Sequence, residues 1–142
     1  MNPLSAARAD WEAATTPYPL SHKQSYGKMI EDPFRKYGSA IAWLEWQDDC
    51  HIKKLETLKP RGGGATCLLL FLKGLAVKHG IRIIGNPIVY PPTCPLAAES
   101  PLSQEGLENL YSKCGYSVGR GGDGFPYVRY PDVPWVNERP SA

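Results

Sequence analysis

The chain has no hydrophobic run long enough to cross a membrane as a helix. Its most apolar stretch, Cys67 to Leu72, ends at Lys73, far short of the roughly eighteen residues such a helix needs. The opening MNPLSAARADWEAA shows no basic region followed by an apolar core, so no secretory leader is expected. Charge of one sign is also missing. Sixteen Lys plus Arg against fourteen Asp plus Glu leave a net +2, too even for a protein that coats nucleic acid but compatible with a local anion site. The four cysteines, Cys50, Cys67, Cys94 and Cys114, form no C-x-x-C pair and have no histidine at zinc spacing, so no metal is expected. Two of them fall at apolar positions of expected helices, which suits reduced thiols packed as small hydrophobes and a cytoplasmic setting. There is no G-x-x-x-x-G-K-[ST] and no G-x-G-x-x-G, which removes the usual routes to nucleotide hydrolysis and hydride transfer. Internal repeats and low-complexity runs are absent too, which excludes a solenoid.

What is present fits one domain: 142 residues can bury a core without disulfide or metal support. Fourteen Pro and fourteen Gly punctuate the chain. Ala7, Trp11 and Ala14 recur at helical spacing after a cap at Ser5, and Ser21-x-x-Gln24 reads as a capping box before Tyr26, Met29 and Ile30. Residues 1–38 are therefore expected as a helical extension, 39–130 as the core and 131–142 as an extended tail. Within the core, Ser39 to Trp46 and Cys50 to Leu58 read as a hairpin turning at Gln47-Asp48-Asp49. A helix is expected from Ala65 to His79, with Leu68, Leu72, Leu75 and Ala76 on one face and Gly80 as its stop. Ile81 to Ile84 reads as a short buried strand broken at Gly85-Asn86-Pro87, before Ile88-Val89-Tyr90 and a proline-rich loop from Pro91 to Pro101. A last helix starts at Ser103, stapled by Leu102 and Leu107, lined by Leu110, Tyr111 and Cys114, and stopped by Gly115. Tyr116-Ser117-Val118 and Phe125 to Tyr130 would be strands joined by a glycine-rich turn. The order predicts an α/β fold, a mixed sheet with helices on its faces.

The segment Leu58 to Thr66 carries the chemistry. A glycine loop between a strand and a helix exposes backbone N–H groups that have no intrahelical partner, and the helix dipole adds positive potential there. Anions, phosphates above all, bind such places. Lys53, Lys54, Lys59 and Arg61 would surround the fixed amides with mobile cations. The same glycines also serve a tight turn that lets strand and helix pack closely.

The run Leu58-Lys59-Pro60-Arg61-Gly62-Gly63-Gly64-Ala65-Thr66 resembles the acetyl-CoA pyrophosphate loop of the GNAT N-acetyltransferases: Arg or Gln, two variable residues, Gly, one variable residue, then Gly or Ala. Arg61 and Gly64 match, and Thr66 departs from the final small position. Leu107 to Tyr116, LENLYSKCGY, is similar to the family's helix ending in Tyr, three residues, Gly and an aromatic, with Tyr111, Gly115 and Tyr116 in those places. The phrase Leu102 to Leu107 and the position of Glu56 five residues before Arg61 also look like a compact phage-encoded branch of the family, which includes an anti-CRISPR acetyltransferase.

The resemblance implies a GNAT-like sheet in which two parallel strands splay around the pantetheine arm of acetyl-CoA. Thr57, Leu58, Lys59, Arg61, Gly62, Gly63, Gly64, Ala65, Thr66 and Gln104 would then hold the cofactor, with the arm between the strand at Glu56 to Lys59 and the strand at Ile81 to Gly85. Tyr111 would donate a proton to the leaving thiolate, or else is a core aromatic on the same stripe. Glu56 would be the base, or else a solvent-facing partner of a nearby lysine. Glu45, Asp48, Asp49 and His51 are weaker candidates for the same role. His79 at a helix end reads as a structural cation, and Cys114 as core. Tyr127, Tyr130 and Trp135 either wall an acceptor pocket or complete the sheet. The implied reaction is acetyl transfer to a primary amine on a protein lysine, a small molecule or a modified nucleotide. The competing reading is a non-catalytic GNAT-like domain that acts by contacting a partner protein.

Overall fold

Strand β3 (Ala40–Gln47) and strand β4 (Asp49–Thr57) form the predicted hairpin, paired antiparallel from Ala40↔Thr57 to Gln47↔Asp49. The turn is tighter than the three residues expected: both strands run into it, and only Asp48, at φ 64, lies between them. Aspartate is one of the few non-glycine residues that enter left-handed backbone readily. The structure is a computed structural model and describes residues 2–18, 34–58, 63–87 and 103–131. The expected helix near Ser21 to Ile30, the segment Ile88 to Tyr90, the proline-rich loop, Leu102 and the tail with Trp135 all lie outside the described residues.

Helix α1 (Pro3–Ala14) starts one turn's cap earlier than the sequence suggests. Asn2, not Ser5, is the cap: its side chain accepts the Ser5 N–H at 2.7 Å, and proline occupies the first turn, where its missing N–H costs nothing. Ala7 and Trp11 are buried, whereas Ala14 is exposed. The C-terminal carbonyls find donors in Thr15 Oγ1, which bonds Trp11 O at 2.7 Å, and in the Arg35 guanidinium, which reaches Glu12 O and Thr15 O. Arg35 belongs to a strand the helical reading of this region did not contain. Strand β1 (Thr16–Pro17) and strand β2 (Phe34–Tyr37) add two antiparallel strands to β3, so the first 38 residues build part of the sheet as well as a helix.

Helix α2 (Gly64–His79) ends at Gly80, φ 67, whose N–H bonds Ala76 O. It buries Leu68, Leu69, Leu72, Leu75 and Ala76 against the sheet and α1. Strand β5 (Ile83–Gly85) then returns parallel to β4. Helix α3 (Gln104–Lys113) is capped by Ser103 as expected, its hydroxyl accepting the Gly106 N–H at 3.0 Å. Gly115 follows at φ 92. Strand β6 (Ser117–Arg120) and strand β7 (Pro126–Tyr130) close the chain order, β7 pairing β5. Both start one residue later than predicted; Phe125 is left 56% exposed in the turn.

The result is an α/β domain with three helices among the described residues and one seven-stranded open sheet, ordered β1-β2-β3-β4-β5-β7-β6. Every neighbouring pair is antiparallel except β4 and β5. The main core lies between α1, α2, α3 and one sheet face, with Trp11, Leu68, Leu72, Ile83 and Val128 almost fully buried. Each such side chain contributes about 1.5–3 kcal/mol. A smaller cluster of Phe34, Ile41 and Leu58, with Trp43 against it, covers the other face. Among the described residues no helix is long and apolar enough to cross a membrane.

Candidate functional site

The site begins where the described pairing of β4 with β5 ends. β4 pairs β5 at only three positions, Cys50↔Ile83, His51↔Ile84 and Ile52↔Gly85, then runs on for five more residues to Thr57. In the same place its register with β3 slips: Leu44 faces Ile52 but Trp43 faces Lys54, so Lys53 is an extra residue, a β-bulge. A bulge bends its strand and sharpens the local twist. Here the bulge falls just after Ile52↔Gly85, the last pair of β4 with β5 among the described residues.

The backbone beyond the bulge is directed by the ladder. Cys50 N–H donates to Arg82 O on the β5 side at 2.9 Å, and Leu58 N–H donates to Ser39 O on the β3 side at 2.7 Å. Peptide groups alternate along an antiparallel ladder, so beyond the bulge the Leu55 and Thr57 amides point away from β3. No β5 residue is paired opposite either of them.

Next along the chain is the start of α2. Gly63, its N-cap, has φ 71 and makes no side-chain capping bond, and no acidic residue lies in the first turn. Gly64 is pressed against the turn before β3: a Cβ there would lie 2.3 Å from Ser39 Oγ and 2.8 Å from the Ser39 carbonyl carbon. Glycine is required at both positions, at Gly63 for the left-handed backbone and at Gly64 for the close approach. Ala65 is buried and Thr66 exposed. Lys59, Arg61 and Gly62 lie outside the described residues.

The other expected site residues divide between the two faces of the sheet. Tyr111 is buried in the main core with its ring edge-on to Tyr116 at 5.7 Å, and Tyr116 O–H donates to Leu69 O at 2.7 Å. Burial pushes the Tyr111 hydroxyl far above the ordinary phenol value, so at neutral pH it is a proton donor and not a phenolate. Cys114, just after the same helix, is buried, and its thiol is held above the usual range chiefly by that burial. Glu56 sits directly across from Ile41, which belongs to the opposite cluster, so its side chain is on the face away from Tyr111. Leu58 is 8% exposed within that second cluster. Its side chain is core, and only its backbone adjoins the site.

Several weaker candidates have structural employment. Asp49 is ion-paired to Arg82 at 2.9 Å, and Asp48 makes the hairpin turn, at the far end of β4 from Thr57. His51 lies across from Glu45, two residues before the bulge. His79 sits 2.8 Å from Asp10 of α1, tying two helices together. Gln104 donates through Nε2 to Pro87 O and to Glu108 Oε2, the latter at 2.8 Å. Tyr127 lies under the Arg129 guanidinium at 4.6 Å, and the Tyr130 ring is tilted against Tyr116 with centroids 5.8 Å apart. Among the described residues no cluster of His, Cys, Asp or Glu could hold a metal. Of the two cysteines expected at apolar helix positions, Cys114 is buried but Cys67 is exposed on α2, its thiol on the helix face away from the core; Cys50, on β4, is buried.

The bulge and the amides of Leu55 and Thr57 are the parts sequence reasoning missed. A signal was there: the apolar positions Cys50, Ile52 and Leu55 break the two-residue period by one, which is the trace a bulge leaves in a strand. Comparison with family models, curated proteins and solved structures finds no match for this chain.

Proposed function

We propose that the protein is an acetyl-CoA-dependent N-acetyltransferase of the GNAT type that acts on a primary amine. The observation that carries this reading is the end of the described β4–β5 pairing at the Lys53 bulge, after which the Leu55 and Thr57 amides face away from β3, together with a helix, α2, whose glycine N-cap makes no side-chain capping bond. That arrangement suits a long ligand with amides along its length and a pyrophosphate at one end. The amides of Leu55 and Thr57 would pair with the arm as a missing strand would. The first N–H groups of α2, with Arg61 and Lys59 before them, would take the pyrophosphate.

The bound carrier would supply an acetyl thioester. The protein's own part is positioning and proton handling. A primary ammonium with a pKa of about 10.4 has no lone pair at neutral pH, so a proton must leave before attack. Glu56 stands on one sheet face and Tyr111 on the other. Deprotonation from the Glu56 side and donation to the departing sulfur from the Tyr111 side would keep the two transfers apart.

Isothermal titration of the full chain with acetyl-CoA and with CoA tests the reading. Heat with both, sharply reduced by Arg61→Glu, is expected, and mass spectrometry of an acetyl-CoA reaction with lysate should then show an acetyl gain on an acceptor. Absence of heat with either carrier would remove the proposal.

A further inference from the structure

Helix α2 has no continuous polar face, although only one of its sides can pack on the sheet. From Gly64 to Leu72 it carries no charged residue. Its outer side holds two of the three large apolar side chains that stand exposed among the described residues, Leu70 at 49% and Val77 at 69%. Seven positions apart, they form one ridge about two turns long. Next to it Gly74 is exposed as well, and a Cβ there would meet nothing within 4 Å. A helix without a polar face is ordinarily a covered one, and contiguous exposed apolar surface marks contact sites.

Beside the ridge, α1 and α2 leave a groove of about 600 Å³, lined by Ala13 and Ala14 on one helix and by Leu70, Phe71, Gly74 and Leu75 on the other. Its two charges, Asp10 and Lys78, bind each other at 2.9 Å, and Asp10 is shared with His79. Farther out on α1, Arg8 pairs with Glu12 at 3.5 Å, and on α2 the Lys73 ammonium turns to the Tyr130 ring. These charges around the patch are answered within the same chain. An oppositely charged protein finds no net charge to select, whereas a second copy, which sets each surface against its own image, needs a patch that is neutral in itself. Shape agrees, because ridge and groove lie side by side. Turned about a twofold axis parallel to α2, a second copy lays its Leu70 and Val77 in this groove and receives this chain's ridge in its own.

We infer that the protein pairs with a second copy of itself through the outer face of α2 and the α1–α2 groove, with the two α2 helices parallel. At 3.6 residues per turn, Gly74 and Cys67 fall between ridge and groove. Each then faces its own counterpart near the axis, where glycine lets the two backbones approach. None of the residues in this contact is assigned to acetyl-CoA, so the pairing stands or falls independently of that reading.

Sedimentation equilibrium of the full chain tests it, together with cross-linking by a short bismaleimide in the Cys94→Ser background, where Cys50 and Cys114 are buried and Cys67 is the exposed thiol. Between about 1 and about 100 μM, the range in which a micromolar dimer assembles, the chain should reach the mass of two copies and be cross-linked in pairs. Leu70→Lys combined with Val77→Lys should return it to the mass of one, with its far-UV circular dichroism unchanged. Cys67→Ser should keep the dimer and lose the cross-link. A single-chain mass at every concentration would overturn the inference, and so would a dimer that survives both lysines. A dimer that the reagent cannot join through Cys67 would overturn the parallel arrangement on which the ridge-and-groove fit depends. Should the double variant not fold, Gly74→Arg, whose side chain starts in open space, places a charge at the axis and should separate the pair instead.

Discussion

Strand β4 behaves as two strands joined at Lys53. Cys50 to Ile52 is flanked by β3 on one side and β5 on the other and is buried in the main core at Cys50 and Ile52, whereas Lys53 to Thr57 pairs in the sheet, among the described residues, with β3 and has no fully buried residue. The helix starts divide in the same sense. α1 and α3 are closed by Asn2 and Ser103, and α3 carries Glu105 in its first turn, while α2, which follows the second half of β4, has neither device. The first half of β4 is built into the main core; the second half is the one the proposed function assigns to a ligand.

The sharpest way to break that division is to alter one residue in each half. Ile52→Ala removes a side chain only 5% exposed and should cost about 2–5 kcal/mol in urea unfolding, as large-to-small core changes do. Thr57→Pro removes only an amide that faces away from β3, so its unfolding cost should stay under about 1 kcal/mol, because proline is tolerated where no ladder bond is lost. Its acetyl-CoA affinity should drop far more than that of any side-chain change at the same position. Equal losses of stability in the two variants would erase the distinction.

Gly64→Ala should come next in size. The added carbon meets Ser39 backbone at 2.8 Å, so the start of α2 must move, at a cost of about 1–3 kcal/mol from overpacking. Acetyl-CoA binding should weaken with it, because the helix end and its amides shift together. Preserved affinity in a destabilised Gly64→Ala chain would detach the α2 terminus from the ligand. Tyr111→Phe should leave stability within about 1 kcal/mol and cofactor affinity unchanged while lowering turnover on an identified acceptor, since only the donor is deleted. Unaltered turnover would return Tyr111 to the core with Leu107 and Leu110.

How much of this could be read from the residues depends on the range of the signal. The β3–β4 hairpin, α2 and α3 were legible because their patterns are local: alternation, helical spacing, Gly80 and Ser103. β1 and β2 were not, since Thr-Pro and Phe-Arg-Lys-Tyr are too short and too polar to show a period, and pairing with β3 makes them strands. The glycine loop and Tyr111 could be found by pattern. That Glu56 and Tyr111 lie on opposite faces could not, because it depends on the register of β4 against β3 and on the single extra residue at Lys53. Gln104 shows the same limit: its place in the first turn was evident, but its bond to Pro87 O joins positions 17 apart in sequence.

The smallest effect concerns the brace behind that bond. The Gln104 amide first, and the Arg120 guanidinium after it, hold the Glu108 carboxyl below its ordinary value. In the unfolded chain the group titrates near the model-peptide value of about 4.3, so the folded state binds the proton less readily than the unfolded one. The resulting stabilisation is complete above the unfolded value and is lost as pH falls through the lower folded one. Glu108→Gln cannot titrate, so the stability difference between wild type and this variant should be greatest above about pH 5 and shrink toward pH 3. The carboxyl is solvent-screened, which keeps the change small, and urea midpoints measured in parallel are the means to resolve it. A difference that stays constant with pH would uncouple Glu108 from Gln104 and Arg120, and would leave the Gln104 bond to Pro87 standing without support from β6.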